Sequence, residues 1–153
     1  QEIADNAAEK KVPVCLYPHD GVTHTYTTAE QALIFLKKAD RPNLSLSFHL
    51  CHELRAGNGK RLGEAIAAVK PYIKLVTISG ANHKVTPGNK DWSDAIKPLS
   101  EGDFDTSTFL SELNKAGYSG PIILHTFGLQ KKPATHYKES FDTYQKLAKK
   151  TKL

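Results

Sequence analysis

The chain has 153 residues, enough for one domain with a sizeable core, and its 39% hydrophobic and 24% charged residues are an ordinary globular composition. No apolar run approaches a membrane span and no signal-peptide pattern opens the chain, so no membrane partner is expected and the sequence reads as soluble, without a compartment. The net charge of +5 is not one cluster: much of it lies at Lys146, Lys149, Lys150 and Lys152, and near Lys131 and Lys132, with no interleaved aromatics of the kind a nucleic-acid platform uses.

The chain opens within a helical pattern, Glu2 to Lys10, and contains no Met, so it reads as a mature or truncated piece. Pro13 stops the helix, and Val14 to Tyr17 reads as a buried strand followed by a turn, Pro18 to Gly21. Thr27 or Thr28 can cap the next helix, which runs to about Ala39; Asp40 to Asn43 then turns the chain. After a central strand comes a flexible loop, Arg55 to Lys60, and a helix from about Arg61 to Val69 whose Leu62, Ala65, Ile66 and Val69 share a face. Tyr72 to Ser79 is the next strand. A long polar loop with His83, Pro87, Gly88 and Trp92 leads to a helix, Thr106 to Ala116, capped by Asp105 and stopped by Gly117. Pro121 to Phe127 is the last strand and about Ala134 to Lys149 the last helix. Strand and helix alternate throughout, which predicts a single α/β region of parallel β/α units over residues 1–153.

The central strand organises this pattern. In Leu44 to Leu54 the residues Leu44, Leu46, Phe48 and Leu50 alternate with Ser45, Ser47 and His49, and the strand runs on into Cys51, His52 and Glu53. Side chains alternate along a strand, so Cys15, Tyr17, Ser45, Ser47, His49, Leu75, Thr77, Ser79, Ile123 and His125 fall on one face. Tyr17, His49, Thr77 and His125 stand at its C-terminal rim, with His19, His52, Glu53 and Asn82 just beyond. That rim is where parallel α/β sheets place ligands. His19 could equally cap a turn, and His125 could be a satisfied core histidine. His24, His83 and His136 read as surface residues, and Cys15 and Cys51 as two buried thiols. Imidazoles suit Zn, Mn, Fe or Ni, and Glu53 could add an oxygen, but HxxH at a strand end is not the helical HExxH of metalloproteases. There is no phosphate-binding glycine loop and no GxSxG elbow.

The succession LYPH, LSLSFHLCHEL, KLVTISGAN, PLSEGDFD and AGYSGPIILH resembles the C-terminal half of the xylose-isomerase-like sugar isomerase/epimerase superfamily, over nearly the whole chain. The PLxxGxxD and GYxGPIxL stretches are its most specific parts. The resemblance implies a (β/α)8 TIM barrel of which this chain supplies the last four strands. A whole barrel needs roughly 250 residues, so a missing N-terminal half or a second copy would complete it. The resemblance also implies a divalent metal held by Glu, Asp, His and Glu at successive strand ends. Here Tyr17 stands at the first Glu position, His49 at the Asp of DxxH with its His retained as His52, Thr77 at the ligand His, and His125 at the last Glu. The acidic ligands are replaced.

The expectation is therefore a protein that acts on or binds a small carbohydrate. His49, His52 and His125 would be its catalytic residues, and Tyr17, His19, Glu53, Thr77, Asn82 and Trp92 would bind substrate. His49 and His125 would hold any metal. A non-catalytic sugar-binding or assembly module of the same fold is the alternative. A DNA-repair role, known in the same superfamily, lacks its acidic zinc ligands here.

Overall fold

The computed structural model describes residues 1–19, 26–86, 90–130 and 132–153. Asp20, Gly21, His24, Pro87, Gly88 and Lys131, which entered the sequence reading, lie outside the described residues.

Four parallel strands, β1 (Val14–Leu16), β2 (Leu44–His49), β3 (Ile73–Ile78) and β4 (Ile122–Leu124), form a sheet in sequential order. Helices α1 (Glu2–Glu9), α2 (Ala29–Ala39), α3 (Leu50–Arg55), α4 (Leu62–Val69), α5 (Thr106–Lys115) and α6 (Pro133–Thr151) alternate with them. Parallel neighbours need crossover connections, and α2, α4 and α5 lie in those connections. Thr28 caps α2, accepting from the Gln31 amide while the Gln31 side chain reaches back, a full capping box. Asp105 caps α5 through the Ser107 amide, at 2.9 Å. Gly117, at φ +70°, follows α5, in the left-handed conformation that suits glycine.

The period-two alternation of β2 decides the layering. Leu46, Phe48 and Leu50 are fully buried among Ala32 and Leu36 of α2, Ala65, Ile66 and Val69 of α4, and Phe109 and Leu113 of α5. Phe48 stacks on Phe109 with centroids 5.8 Å apart. The core is thus the layer between the sheet and its helices. The opposite face carries Ser45, Ser47, His49, Thr77 and Ile123. At its margins Cys15 is exposed and Ile123 is 48% exposed, which corrects the expectation that both thiols are buried; only Cys51 is.

Other expectations change in detail. β2 ends at His49, and residues 50–55 coil at once into α3, so Cys51, His52 and Glu53 sit on a helical turn above the sheet rather than on the strand. The expected loop at 55–60 is ordered: Arg55 is buried and Asn58–Lys60 forms a 3-10 turn. β4 is shorter than expected, so His125 stands just past its end, although its amide still donates to the Ile78 carbonyl at 2.8 Å. His136 is 2% exposed rather than on the surface, because α6 turns it inward beside Ser140. His83 is exposed.

Both sheet edges carry apolar grooves on the helical side. One, of about 480 Å³, lies along β1 between Ile3, Val14, Leu16, Phe35 and Leu44. The other, of about 350 Å³, lies along β4 between Ile122, Leu124, Tyr137, Phe141 and Tyr144. No helix among the described residues is long and apolar enough to cross a membrane.

Candidate functional site

The register of β2 against β3 sets His49 beside Thr77. His49 Nδ1 lies 2.8 Å from Thr77 Oγ1 and its Nε2 lies 2.6 Å from Ser47 Oγ. Ser47 donates its own proton to the Leu16 carbonyl at 3.0 Å, so its oxygen accepts from Nε2–H. Nδ1 is then the acceptor for the Thr77 hydroxyl. This accounting assigns the tautomer and leaves neither ring nitrogen vacant. His49, 1% exposed, ties β1, β2 and β3 together across the face that lacks helices. Burial, then the nearby His125 and His19, push its imidazole down to about 3, so it is neutral near pH 7.

His52 comes up to the same rim from the first turn of α3. Its Nε2 lies 3.3 Å from the Tyr17 hydroxyl, and His125 Nε2 lies 3.4 Å from the same hydroxyl. His125 Nδ1 accepts from the Phe127 amide at 3.4 Å, which puts the His125 proton on Nε2. A directional chain follows: His125 Nε2–H to Tyr17 Oη, and Tyr17 Oη–H to His52 Nε2. Burial, followed by His19, His49, His125 and Arg55, pushes His52 down to about 2; burial also lowers His125. Burial and the neighbouring Cys51 push the Tyr17 hydroxyl up to about 12. Every group in the chain is therefore neutral at physiological pH.

A cleft of about 190 Å³ opens beside these groups. Its lining is Tyr17, His19, His52 and His125 together with Trp92, Ile96 and Phe127. The His52 ring meets Trp92 edge-on at 5.0 Å, and His19 lies 4.5 Å from His52.

The other expected residues go elsewhere. Glu53 is buried beneath the rim: its carboxylate accepts from the Ala29 amide at 2.8 Å, at the start of α2, and from the Asn58 side chain. Burial raises it above the usual carboxylate range. Asn82 donates to the Asp94 carboxylate at 2.7 Å and fastens the loop after β3. Thr77 meets His49 and does not line the cleft. Sequence reasoning left Ile96, Phe127, Ser47 and Arg55 out of the site. Strand alternation puts Ser47 on the face of His49 but gives it no role there, and Phe127 could have been found two residues after His125. Arg55 carries no such signal.

The match to a protein-family model described as xylose isomerase-like TIM barrel covers residues 1–147. The chain belongs to that family. Among solved structures, this half-barrel is similar to a D-tagatose 3-epimerase-like protein, with a TM-score of 0.76 at 20% identity over 99% of this chain and 52% of that one. A xylose isomerase domain protein from Planctomyces limnophilus gives 0.69 at 22% identity, over 98% and 50%. The 3-keto-D-glucoside 4-epimerase YcjR from E. coli gives 0.70 at 15% identity, over 94% and 49%. No curated protein matches the sequence. The chain spans about half the length of the solved structures it matches, and its four parallel strands are half of a TIM barrel.

The resemblance to this family implied a divalent metal at the strand ends, with His49 and His125 as candidate ligands. The side chains here do not fit one. Both His49 nitrogens are engaged by hydroxyls, Thr77, which the resemblance puts at the ligand-His position, has no metal-binding nitrogen, and the carboxylate of Glu53 lies at the start of α2. Among the described residues no group of three or more His, Cys, Asp or Glu side chains is arranged to hold a metal ion.

Proposed function

We propose that this half-barrel is the carbohydrate-binding part of a sugar isomerase/epimerase-like protein, and that it recognises sugar hydroxyls through Tyr17, His52 and His125 in the rim cleft. The supporting observation is the neutral relay of these three residues beside that cleft. Each member can exchange a hydrogen bond to its neighbour for one to a hydroxyl, because a neutral imidazole and a phenol both donate and accept. The strongly lowered His52 is a weak base at neutral pH, far from the matched pKa that proton abstraction from carbon favours. This part of the rim thus suits binding better than proton transfer. Family membership and the sugar-epimerase neighbours support the choice of a carbohydrate.

A second reading follows from the direction of the relay. Were His125 Nδ1 to exchange the Phe127 amide for a proton taken from substrate, His125 would pass its Nε2 proton to Tyr17 Oη and Tyr17 its hydroxyl proton to His52 Nε2, a path of the kind that proton transfer between two faces of a carbon needs. Exchange of substrate C–H for deuterium in heavy water would identify it, and its absence with a bound ketose would reject it.

The two apolar grooves and the open edges support completion of the barrel by another half, either a further segment of a longer chain or a second copy. Calorimetric titration with a panel of ketohexoses tests the main reading. His52→Ala and His125→Ala are each expected to weaken binding about tenfold, the scale of losing one or two well-placed hydrogen bonds. Equal affinity in both variants, or no saturable binding by the parent chain, would sink the proposal.

A further inference from the structure

We infer that the rim cleft takes a sugar in its ring form, laid against Trp92, and that Arg55 is the positioning residue that holds this wall. The inference rests on the carbohydrate reading above and adds which form of the sugar is taken. The lining of the cleft is of two chemical kinds. Trp92, Ile96 and Phe127 offer carbon, and Tyr17, His52 and His125 offer a hydroxyl and ring nitrogens. A cyclic sugar has the same division: C–H bonds cover much of one face and hydroxyls project around its edge. An open-chain polyol carries hydroxyls along its whole length, and those pressed on Trp92 would lose water without gaining a partner. The cleft, about 190 Å³, is below the roughly 300 Å³ at which drug-sized pockets begin, so it suits a single ring.

Trp92 is gripped from below. Arg55 Cζ lies 4.0 Å from the indole centroid, and Arg55 Nη1 donates to the Asp91 carbonyl at 3.0 Å. One side chain thus holds both the ring and the backbone of the same segment. Arg55 is 2% exposed, so the cation meets the π face away from water, where that contact is strongest. The segment is tight in its own right: the Trp92 carbonyl accepts from the Ala95 and Ile96 amides at 3.0 and 2.8 Å, and the Asp91 carboxylate accepts from the Ser93 amide and hydroxyl, both at 2.9 Å. A wall held in this way loses little further freedom when a ligand arrives, which favours binding.

Trp92 is the chain's only tryptophan, so its emission reports on this wall alone. Methyl glycosides of glucose, galactose and mannose, locked as rings, are titrated against sorbitol, galactitol and mannitol, which are locked open. At least one glycoside is expected to change the emission saturably, with a Kd about tenfold below that of its alditol. Arg55→Met keeps the bulk and removes the cation. It is expected to expose Trp92 to acrylamide quenching and to weaken glycoside binding about fivefold, with Arg55→Lys restoring part of both. Should Arg55→Met fail to fold, Trp92→Leu followed by calorimetry decides the matter, since the preference for rings must then disappear. An alditol that binds as well as its glycoside overturns the ring-form inference and leaves the carbohydrate reading standing. Binding of neither overturns the ring-form inference, and binding of neither together with no ketohexose overturns both. Unchanged quenching in Arg55→Met, or a ring preference that persists in Trp92→Leu, overturns the role given to the wall.

Discussion

His49 and His52 stand one helical turn apart in sequence and are almost equally buried, at 1% and 2% exposure. Their chemistry diverges because of what surrounds them. His49 sits within the sheet face, where the register supplies a hydroxyl to each nitrogen. His52 sits one turn higher, where the sheet has ended and its partners are the walls of a cleft. A buried imidazole with a sheet hydroxyl at each nitrogen is a structural tie. One that meets a phenol beside a cavity stands where a ligand can reach that hydrogen bond. Burial alone does not separate the two cases.

The two histidines should separate most widely when each is truncated, beginning with His49. His49→Ala removes a buried ring and takes the acceptor from the Thr77 hydroxyl, and is expected to cost about 2–4 kcal/mol of stability, whereas His52→Ala should lose sugar binding with a smaller drop in denaturation midpoint. Urea titrations of both variants check this, and an unaltered midpoint in His49→Ala would refute the tie. A second effect sharpens the contrast through pH. The folded pKa values of His49 and His52 lie far below their ordinary value, and that of His125 lies below it as well. As pH falls through about 6.5 the unfolded chain takes up protons that the folded chain refuses, so stability falls. Each such histidine contributes a slope of about 1.4 kcal/mol per pH unit. Melts at pH 7, 6 and 5 should show a progressive loss, shallower by about one proton in a folded His49 variant; a flat profile would contradict the neutral assignment. The smallest effect lies away from the rim. Asp105→Ala removes the α5 cap and should cost about 1 kcal/mol, without altering any sugar titration.

Much of this was legible in the sequence. The alternation in 44–50 and the caps at Thr28 and Asp105 act through nearest neighbours, so they can be read locally. The approach of Tyr17 and His125 was legible for the same reason, since strand parity and a shared rim place both, whereas His52 joins them from the first turn of α3. What could not be read depends on direction rather than position. Glu53 has a rim address, but its side chain turns down toward the first amide of α2. Arg55 ends a helix that the sequence presents as a strand end and a loop, and its partner Trp92 arrives from a loop some 37 positions later. Cys15 was misjudged because strand parity tells which face a residue occupies, not whether anything covers that face.

The outermost strands, β1 and β4, are each only three residues long. Pro13 precedes one and Pro121 the other, and neither proline has an amide hydrogen to donate. Such brief, proline-flanked margins are poor templates for indiscriminate strand addition and fibril growth. Whatever lies alongside them must be chosen chiefly by the shape of its side chains, so fidelity of assembly rests on complementary contours and much less on the generic stickiness of main chain.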